Sequence, residues 1–450
     1  MKRKLFAFVA LSLCAVDVMA QSDTLTLKRC IEMGIERNLG LQEKQQDIRI
    51  ADIDKSENRH KLIPVIQGYA NFTHNANPAK SVTDGTNLGR LLGVDAPYMV
   101  SKGLEWQHAM GVTLSMPLYN QTLYTGINIA DKMADISRAS YEKAKEDLIM
   151  EISQLYYLAQ TTAKQIELIR GNIVRMEELK NITTAFYDNQ MVLEVDVKRV
   201  DINLENLRTA LTNAEAMYEQ QLNLLRYTLD LAPETPMLLS AVNTNISYEN
   251  NYLSRGLSSD LYELQILDMQ SDVLLKKKKM INQGYIPSIN LVGGASWSAY
   301  TDDFRHWFHS HQTNKLYNHT YWGVQLNIPI FDGLAKHNKV RKANAEYARM
   351  QTTIAETKSK LQTQYQNSLN DWYNNVRNAE RQQENYRLAE SVYLVTSDQY
   401  KEGVASMSDL LQDELRMTEA QNGYISALYK YMVSELSLLK LTGQLDRLTE

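Results

Sequence analysis

The sequence predicts a mainly α-helical fold with a small β component, in which very long helices pack as coiled coils. Breakers are scarce, since the 450 residues include only 19 glycines and 8 prolines, and this favours long uninterrupted elements. The same series of motifs also occurs twice along the chain. The net charge of −5 shows no basic excess, so composition gives no indication of a nucleic-acid partner.

Residues 1–20 have the pattern of a secretory signal peptide. Basic residues 2–4 precede a short apolar stretch, and Val18-Met19-Ala20 offers a small-residue cleavage site. Cys14 raises the question of lipidation, but Leu13 stands where a lipoprotein signal requires a small residue. Cleavage would leave Cys30 as the single cysteine, which excludes an intrachain disulfide.

An internal repeat organises the rest of the chain. Three anchors recur in the same order: residues 111–120 match 323–332, residues 187–197 match 400–410, and residues 63–65 echo 286–288. The first two offsets are 212 and 213 residues. A unit of this length is too long for a solenoid repeat and fits a duplicated domain.

The repeats divide the chain into four parts after the signal peptide. They are a first repeat over 21–231, an equatorial linker over 232–257, a second repeat over 258–443 and a C-terminal tail over 444–450. Each repeat is predicted to contain a helix, a β-hairpin and two long helices.

Apolar residues spaced alternately three and four apart predict the long helices. We expect them at 121–186 and 192–229 in the first repeat and at 333–399 and 407–441 in the second. The heptad-like spacing indicates coiled-coil packing. At 1.5 Å per residue, the longest would reach about 100 Å, which suits a tube or rod rather than an ordinary globular domain.

Alternating residues predict the β-hairpins, at about 65–119 and 288–331. One face of each strand is apolar and the other is small or polar, as in a lipid-facing barrel strand or any half-buried sheet. The export signal and the aromatic residues near the strand ends favour the membrane interpretation. These aromatic residues are Tyr69, Phe72, Trp106, Trp297, Tyr300 and Trp307. Proline marks the predicted strand–helix junctions, at Pro64, Pro117, Pro287 and Pro329.

The number of strands predicts an oligomer. No stretch after the signal has 18 continuous apolar residues, so a membrane-spanning part would have to use strands. Only four suitable strands occur, near 65–74, 107–119, 288–300 and 319–331, whereas membrane barrels start at about eight. Several chains must then share one barrel. Two chains would supply about eight strands and three about twelve.

The order of these motifs resembles the TolC family of outer-membrane efflux proteins over nearly the whole mature chain. Residues 25–39 resemble the family's first periplasmic helix, residues 117–120 and 329–332 its strand-to-helix swivels, and the two Tyr…Asp segments its periplasmic turns. The resemblance implies a homotrimer with a 12-stranded barrel in outer-membrane lipid and a helical tunnel across the periplasm. It also implies a periplasmic membrane-fusion adaptor and an inner-membrane pump as partners.

The resemblance also implies a periplasmic gate in the second turn. Asp409 matches a ring-forming aspartate, while Gln412 stands where the family has a second one, so we expect one acidic ring. Three aspartates facing one lumen would attract cations. Tyr400 matches a tyrosine that helps hold the gate shut, and Ala405 replaces a basic gate residue. The alternative for Asp409 is an acid favoured by the helix dipole at an N-terminus.

The two turns are the expected docking surface for the adaptor. In the second turn Gly403, followed by Val404, matches a family glycine, which permits positive φ. In the first turn Gln190 takes that place, followed by Met191 and, at the turn's aspartate, Asp196.

No residues support an enzyme, a cofactor or a metal site. The sequence has no nucleotide-binding glycine fingerprint after a strand and no Gly-x-Ser-x-Gly motif. The histidines of the last predicted loop lack a completing carboxylate or cysteine at ligand spacing, and a polar external loop is favoured; they are His306, His309, His311 and His319. Lys276–Lys279 is interpreted as a solvated helix face near the membrane, with an anionic-lipid site as the alternative.

The leading functional hypothesis is an exit duct that exports small molecules. Two alternatives remain open at this point. One is a duct for type I polypeptide secretion, because cargo is selected by the pump and adaptor. The other is a periplasmic coiled-coil structural or adaptor protein with no membrane part, which would need no alternating strands with aromatic ends.

Overall fold

A computed structural model describes residues 24–84, 86–93, 98–246, 256–301 and 317–449. Several predictions lie outside these residues: the signal peptide, Cys14, part of the equatorial linker, Trp307, and the histidines at 306, 309 and 311. His319 is described and lies in a strand.

The structure confirms the predicted fold class, mainly α with a small β component. The helices are α1 (Leu27–Arg37), α2 (Leu39–His60), α3 (Thr86–Leu92), α4 (Gln121–Asp188), α5 (Glu194–Thr228), α6 (Tyr262–Gln283), α7 (Ala335–Lys401), α8 (Met407–Leu441) and a short 3-10 helix (Leu445–Leu448). The strands are β1 (Val65–His74), β2 (Lys80–Asp84), β3 (Tyr98–Lys102), β4 (Trp106–Tyr119), β5 (Ser288–Thr301) and β6 (Tyr317–Asn327).

The two strand-to-helix junctions differ, although their sequences match. In the first repeat Asn120 caps α4, because its side-chain oxygen accepts from the N–H of Leu123 at 3.2 Å. In the second repeat the hairpin was predicted to extend to about 331, but β6 ends at Asn327. Gly333 and Leu334 both have φ of 65°, so α7 starts two residues later than the predicted 333.

The chain divides into two compact units. We call residues up to 47, 138–267 and from 353 onward the helical unit, and residues 48–137 and 268–352 the sheet unit. Each repeat contributes to both units, so the division does not follow the duplication. Four helices, α2, α4, α6 and α7, pass from one unit into the other.

A four-stranded antiparallel sheet in the order β1-β4-β5-β6 dominates the sheet unit. Ten residue pairs join β1 to β4, and the longest register joins β4 to β5, with a bulge between Pro117 and Tyr119. Sequence-distant strands β4 and β5 therefore join the two hairpins into one sheet. In a single chain β1 and β6 each have one edge without a partner strand among the described residues.

The segment between β1 and β4 contains regular structure. Strands β2 and β3 pair as a two-stranded ribbon, with α3 between them. Hydroxyls of Ser81 and Ser101 lie 2.8 Å apart across the ribbon. Five-residue strands carry too few alternations to be recognised from sequence.

Helices in the helical unit pack in the order α5-α4-α8-α7. Arg170 on α4 pairs with Glu215 on α5 at 2.7 Å, and Asn172 on α4 donates to Gln421 on α8 at 2.8 Å. Thr396 on α7 donates to Asp413 on α8 at 2.8 Å. Apolar clusters fill the layers between these contacts, so the two helical hairpins form one packed unit.

The segment before α1 is tied to the segment after α5. Leu25 forms a parallel bridge with Leu239, and the hydroxyl of Tyr156 on α4 donates to the Leu25 carbonyl at 2.8 Å. Cys30 is fully buried in the adjacent cluster, and burial raises the pKa of its thiol to about 12. The thiol therefore stays protonated and unreactive near neutral pH.

Over the described residues, none of the helices combines the length and the apolar character that crossing a membrane requires.

Candidate functional site

The two turns that join the long helices have the same backbone. Each turn has one residue with positive φ, Gln190 or Gly403, and the N–H of this residue and that of the next residue donate to backbone carbonyls at the end of the preceding helix. In the first turn Gln190 donates to Tyr187 and Met191 to Phe186, both at 2.8 Å. In the second turn Gly403 donates to Tyr400 at 3.0 Å and Val404 to Gln399 at 2.8 Å. Every partner is 213 residues from its counterpart, so the duplication preserved the turn geometry.

The left-handed position is occupied differently in the two turns. Gly403 has φ of 74° and Gln190 has φ of 58°. Glycine adopts this conformation without steric cost, whereas glutamine brings its Cβ close to the following carbonyl. The predicted correspondence between these residues is thus present in the backbone, and the first turn is the more strained.

Asp409 caps the N-terminus of α8. Its carboxylate accepts from the backbone N–H of Ser406 at 3.3 Å and from the Ser406 hydroxyl at 2.6 Å, while Ser406 accepts from the Asp409 N–H at 3.2 Å. This reciprocal capping box satisfies two backbone donors. The Asp409 side chain is nevertheless exposed, so capping does not remove its charge from the surface.

The corresponding aspartate in the first turn has another environment. Asp196 has Leu193 at the cap position, which supplies no side-chain hydrogen bond. Its carboxylate instead pairs with Arg199 at 3.0 Å. Asp196 is therefore neutralised within its own helix, whereas no ion pair to Asp409 occurs among the described residues.

The neighbours of Asp409 on α8 separate into exposed and engaged residues. Gln412, one turn later, is exposed. Asp413 is largely buried and accepts from Thr396 at 2.8 Å and pairs with Arg416 at 3.2 Å. Asp413 thus holds α7 against α8, whereas Asp409 is exposed, as is Glu402 within the turn itself.

Tyr400 is buried at the end of α7. Its hydroxyl lies 3.3 Å from the Thr183 hydroxyl on α4, and its ring is 5.9 Å from that of Phe186. Burial raises the pKa of Tyr400, so it stays neutral at physiological pH. The next residue, Lys401, pairs with Glu178 on α4 at 3.4 Å. These contacts join the second helical hairpin to the first.

A buried polar seam continues this junction between α4 and α8, and sequence reasoning missed it. Asn172 donates to Gln421, and both side chains are buried. Glu414 is 7% exposed and accepts from Thr418 at 3.2 Å. Burial raises the pKa of Glu414, although the Thr418 hydrogen bond and the charge of Arg175 oppose this shift. Polar residues at heptad core positions were the available signal, since Thr418 falls on the apolar series of α8.

In the sheet unit, directly opposite residues share a face, and the strand registers therefore define two faces. One face is apolar across all four strands: Ile66, Met110, Val112, Leu114, Leu291, Trp297, Trp322, Val324 and Leu326. The other face is polar or small, with tyrosines: Gln67, Tyr69, Asn71, Thr113, Ser296, Ser298, Tyr321 and Gln325. The apolar face is open, since Trp322 is 84% exposed and Ile66 is 68% exposed.

The four junction prolines occupy three kinds of position. Pro64 and Pro287 directly precede β1 and β5. Pro329 follows β6. Pro117, which was expected to end its strand, lies inside β4 at the bulge, beyond Ser115, the last residue of β4 paired with β1. A bulge beyond the neighbouring strand tolerates a residue that cannot donate to the ladder.

No group of three or more His, Cys, Asp or Glu side chains within the described ranges could hold a metal ion.

The chain matches the family model described as "Outer membrane efflux protein" over residues 30–229 and 275–444, which is more than half of its length. The chain belongs to the outer membrane efflux protein family. This family assignment confirms the resemblance seen in the sequence, and the matched segments include both long-helix hairpins and both turns.

Curated relatives and solved structures agree with the family. The chain is 21% identical over 388 residues to "Outer membrane protein TolC" of Salmonella enteritidis, covering 79% of this chain and 74% of the relative. It is 20% identical over 349 residues to the Vibrio cholerae protein of the same name, covering 75% and 76%.

Two solved structures share its fold. The outer membrane protein VceC from Vibrio cholerae has a TM-score of 0.73 at 12% identity, covering 93% of this chain and 96% of that one. The open state of the Neisseria gonorrhoeae MtrE outer membrane channel has a TM-score of 0.71 at 17% identity, covering 94% and 90%. At these identities, the likeness establishes the fold.

Family membership determines location and class. The protein is an outer-membrane efflux channel that extends into the periplasm, acts with an efflux pump complex and is not an enzyme. The alternative of a periplasmic coiled-coil structural or adaptor protein with no membrane part is therefore wrong.

Proposed function

We propose that this protein is the homotrimeric exit duct of a tripartite efflux pump and releases small molecules, such as drugs and toxic compounds, across the outer membrane. The observation that carries this proposal is that the sheet and the helical layer each have two open edges in a single chain. Periplasmic membrane-fusion adaptors and an inner-membrane pump are the proposed partners.

The sheet requires neighbouring copies. An apolar face lies on one side of four strands and a polar face on the other, while β1 and β6 each leave one backbone edge unpaired among the described residues. Lipid does not tolerate such edges, because their N–H and C=O groups would have no partners. Three chains with four strands each would close a twelve-stranded barrel.

The helical layer supports the same arrangement. Its outer helices each carry exposed apolar side chains along one side, which we call a stripe. The stripe on α5 comprises Ile202, Met217 and Leu224, and that on α7 comprises Leu388, Val392 and Val395. Packing α5 of one copy against α7 of the next buries both stripes. Such a head-to-tail contact forms a ring when its rotation closes.

Small polar or amphiphilic cargo suits the polar face of the sheet. Gln67, Thr113 and Gln325 lie on that face together with small residues such as Ser296. In a closed barrel this face would line the lumen and support a water-filled path.

Engineered cysteines test closure. We would place one cysteine at Gln67 on β1 and a second on the same face of β6, in turn at Gly323, Gln325 and Asn327. Within a chain, β1 and β6 are three strand spacings apart, roughly 14 Å, beyond the reach of a disulfide at about 7 Å. Any disulfide formed must therefore join two chains. Buried Cys30 should not interfere, since its pKa is raised to about 12.

The proposal expects a covalent ladder that ends at the trimer for one register of the scan. The single Cys variants serve as controls and should give no ladder. Chains that stay monomeric at every register would overturn the closed trimer, and a ladder that ends at the dimer would replace it with an eight-stranded assembly.

We further propose that Asp409 forms the single acidic ring of the periplasmic gate and that Tyr400 holds the gate shut. Exposure of Asp409 and the buried Tyr400–Thr183 contact support this assignment. Gln412 would add a neutral polar ring one turn further along α8.

Asp409→Asn tests the gate more cleanly than alanine would. Asparagine keeps a side-chain oxygen for the Ser406 N–H, so the helix cap remains while the charge is lost. We expect weaker block by multivalent cations in planar-bilayer recordings, because three charges leave the lumen. Asp196→Asn, at the matching position of the first turn, is the control and should leave block unchanged. Equal block of Asp409→Asn and Asp196→Asn channels by multivalent cations would contradict the gate assignment.

We propose that the two turns dock the adaptor's helical hairpin. Met191 in the first turn and Val404 in the second are exposed apolar residues at matching positions, 213 residues apart. An exposed apolar side chain at each tip is what an amphipathic helical partner would bury.

A further inference from the structure

We infer that the end of α6 and the start of α7 form a binding site for the headgroup of an anionic phospholipid. The inference rests on the proposed lipid-facing role of the sheet. It assigns the lysine run at 276–279 to a ligand, whereas the sequence alone favoured a solvated helix face.

Positive charge is concentrated in two segments of the sheet unit. Residues 275–286, at the end of α6 and just beyond it, contain four lysines and no acid. Residues 335–342, the first turns of α7, contain three lysines, one arginine and no acid. The side chain of Lys336 connects the segments, because its Nζ lies 5.0 Å from the Tyr285 ring centroid.

Most of the α6 lysines have no neutralising partner. Lys276 lies 3.7 Å from Asp272, and Lys336 lies 3.5 Å from Asp332. For Lys277, Lys278 and Lys279, no carboxylate lies within ion-pair distance among the residues that the structure describes. Three ammonium groups within one helical turn repel each other, so a bound anion would stabilise them.

The first repeat provides an internal comparison. Its matching segment, residues 52–63, contains three acids and three lysines or arginines, and residues 123–130 contain no charge. Lys55 and Arg59 both pair with Asp131, each at 3.2 Å. The duplication therefore produced two equivalent junctions, of which one is internally neutralised and the other carries excess positive charge.

A groove accompanies the charge. It has a volume of about 430 Å³ and is lined by Leu275, Lys278, Lys279, Asn282, Gln283 and Ile286. Leu275 and Ile286 are each 41% exposed, so the groove offers apolar surface beside two ammonium groups. Buried Gln283 is fixed by the Thr125 hydroxyl, which donates to its side-chain oxygen. The groove therefore has one side anchored to α4.

Lysine charge beside exposed apolar surface identifies an anionic phospholipid as the occupant of the groove. Pro287 separates the groove from β5, whose residues on the apolar face would contact acyl chains. The phosphate ester of the headgroup would pair with the lysines, and the part of the acyl chain nearest the headgroup would lie on Leu275 and Ile286. A free phosphate would use the lysines but leave the apolar surface uncovered.

Spin-labelled lipids test the site. We would reconstitute the full-length protein in phosphatidylcholine bilayers and compare the motionally restricted fractions of spin-labelled phosphatidylglycerol and phosphatidylcholine. The intact protein should prefer phosphatidylglycerol. Lys278→Gln with Lys279→Gln should lower this preference by about tenfold, since each juxtamembrane lysine contributes severalfold to anionic-lipid binding. Lys358→Gln with Lys360→Gln, two exposed lysines on α7, is the matched control and should retain the preference.

The outcomes separate the inference from the proposed function. Equal restriction of both lipids, or a preference that survives the Lys278/Lys279 change, overturns the lipid site while the duct stands. Loss of the preference on adding inorganic phosphate, but not chloride of equal ionic strength, assigns the site to free phosphate and also overturns it. If neither lipid is restricted and the protein stays outside the bilayer, the duct and the lipid site both fall.

Discussion

Arginine substitution at two adjacent residues of β4 would measure which face of the sheet meets lipid. Val112 lies on the apolar face between Gly68 and Ala295, and Thr113 lies on the polar face between Gln67 and Gly294. Both are in the same interior strand, so arginine has nearly the same effect on backbone pairing at either position. The small cross-strand neighbours of Val112 leave room for the larger side chain.

The expected loss of stability follows from the depth of Val112 in the membrane. Trp106 precedes it by six residues and Tyr119 follows by seven, which is roughly 20 and 24 Å along the strand. At a strand tilt of about 40°, these become roughly 16 and 18 Å along the membrane normal, so Val112 lies near the midplane. Arginine at the lipid-facing midplane costs about 2–4 kcal/mol per chain, whereas lumen positions accept it at little cost.

The assay is urea-dependent folding into lipid vesicles, followed as the heat-sensitive mobility of the oligomer on gels. We expect Val112→Arg to lower the free energy of unfolding by about 2–4 kcal/mol per chain and Thr113→Arg to lower it by less than about 1 kcal/mol. Equal losses for both variants, or a larger loss for Thr113→Arg, would refute the assignment of the faces.

Three further predictions concern the helical unit. Gln190→Gly should raise the thermal midpoint by relieving a left-handed residue, and Gly403→Ala should lower stability by about 1 kcal/mol; opposite signs in calorimetry would contradict the strain argument. Burial raises the pKa of Glu414, so its contribution to stability is present at low pH and lost as pH rises through the folded pKa. Glu414→Gln should therefore flatten the fall in melting temperature from acid to neutral pH, and an unchanged profile would disprove this. Val404→Asp should reduce drug efflux from cells without changing oligomer yield on gels, and normal efflux would exclude this turn from docking.

Sequence patterns predicted the long helices because their periodicity persists over many turns. The helix predicted over 121–186 is observed as Gln121–Asp188, and that over 407–441 as Met407–Leu441. Helix ends are less predictable, because they depend on local caps. The start of α7 was misplaced because Leu334, a good helix former, adopts φ of 65° instead.

The candidate site was only partly accessible from sequence. The capping role of Asp409 could have been recognised, since Ser406 and Asp409 stand three residues apart before an apolar run. In the seam between α4 and α8, Thr418 at a core position was a signal, but the pairing could not be predicted, because Asn172 and Gln421 are 249 residues apart. The difference in charge between the two junctions could not be predicted from sequence either. Asp131 lies 76 and 72 positions from Lys55 and Arg59, and only the structure shows that it pairs with both.

The unpaired edges of β1 and β6 have a consequence for biogenesis. Between export and assembly, an isolated chain would present two strand edges and an open apolar face to water, which are hazards for aggregation. The helical unit has buried clusters of its own, so we expect it to form first. Completion of the sheet should then accelerate with protein concentration, and a chaperone that shields extended apolar segments would protect the chain until its neighbours arrive.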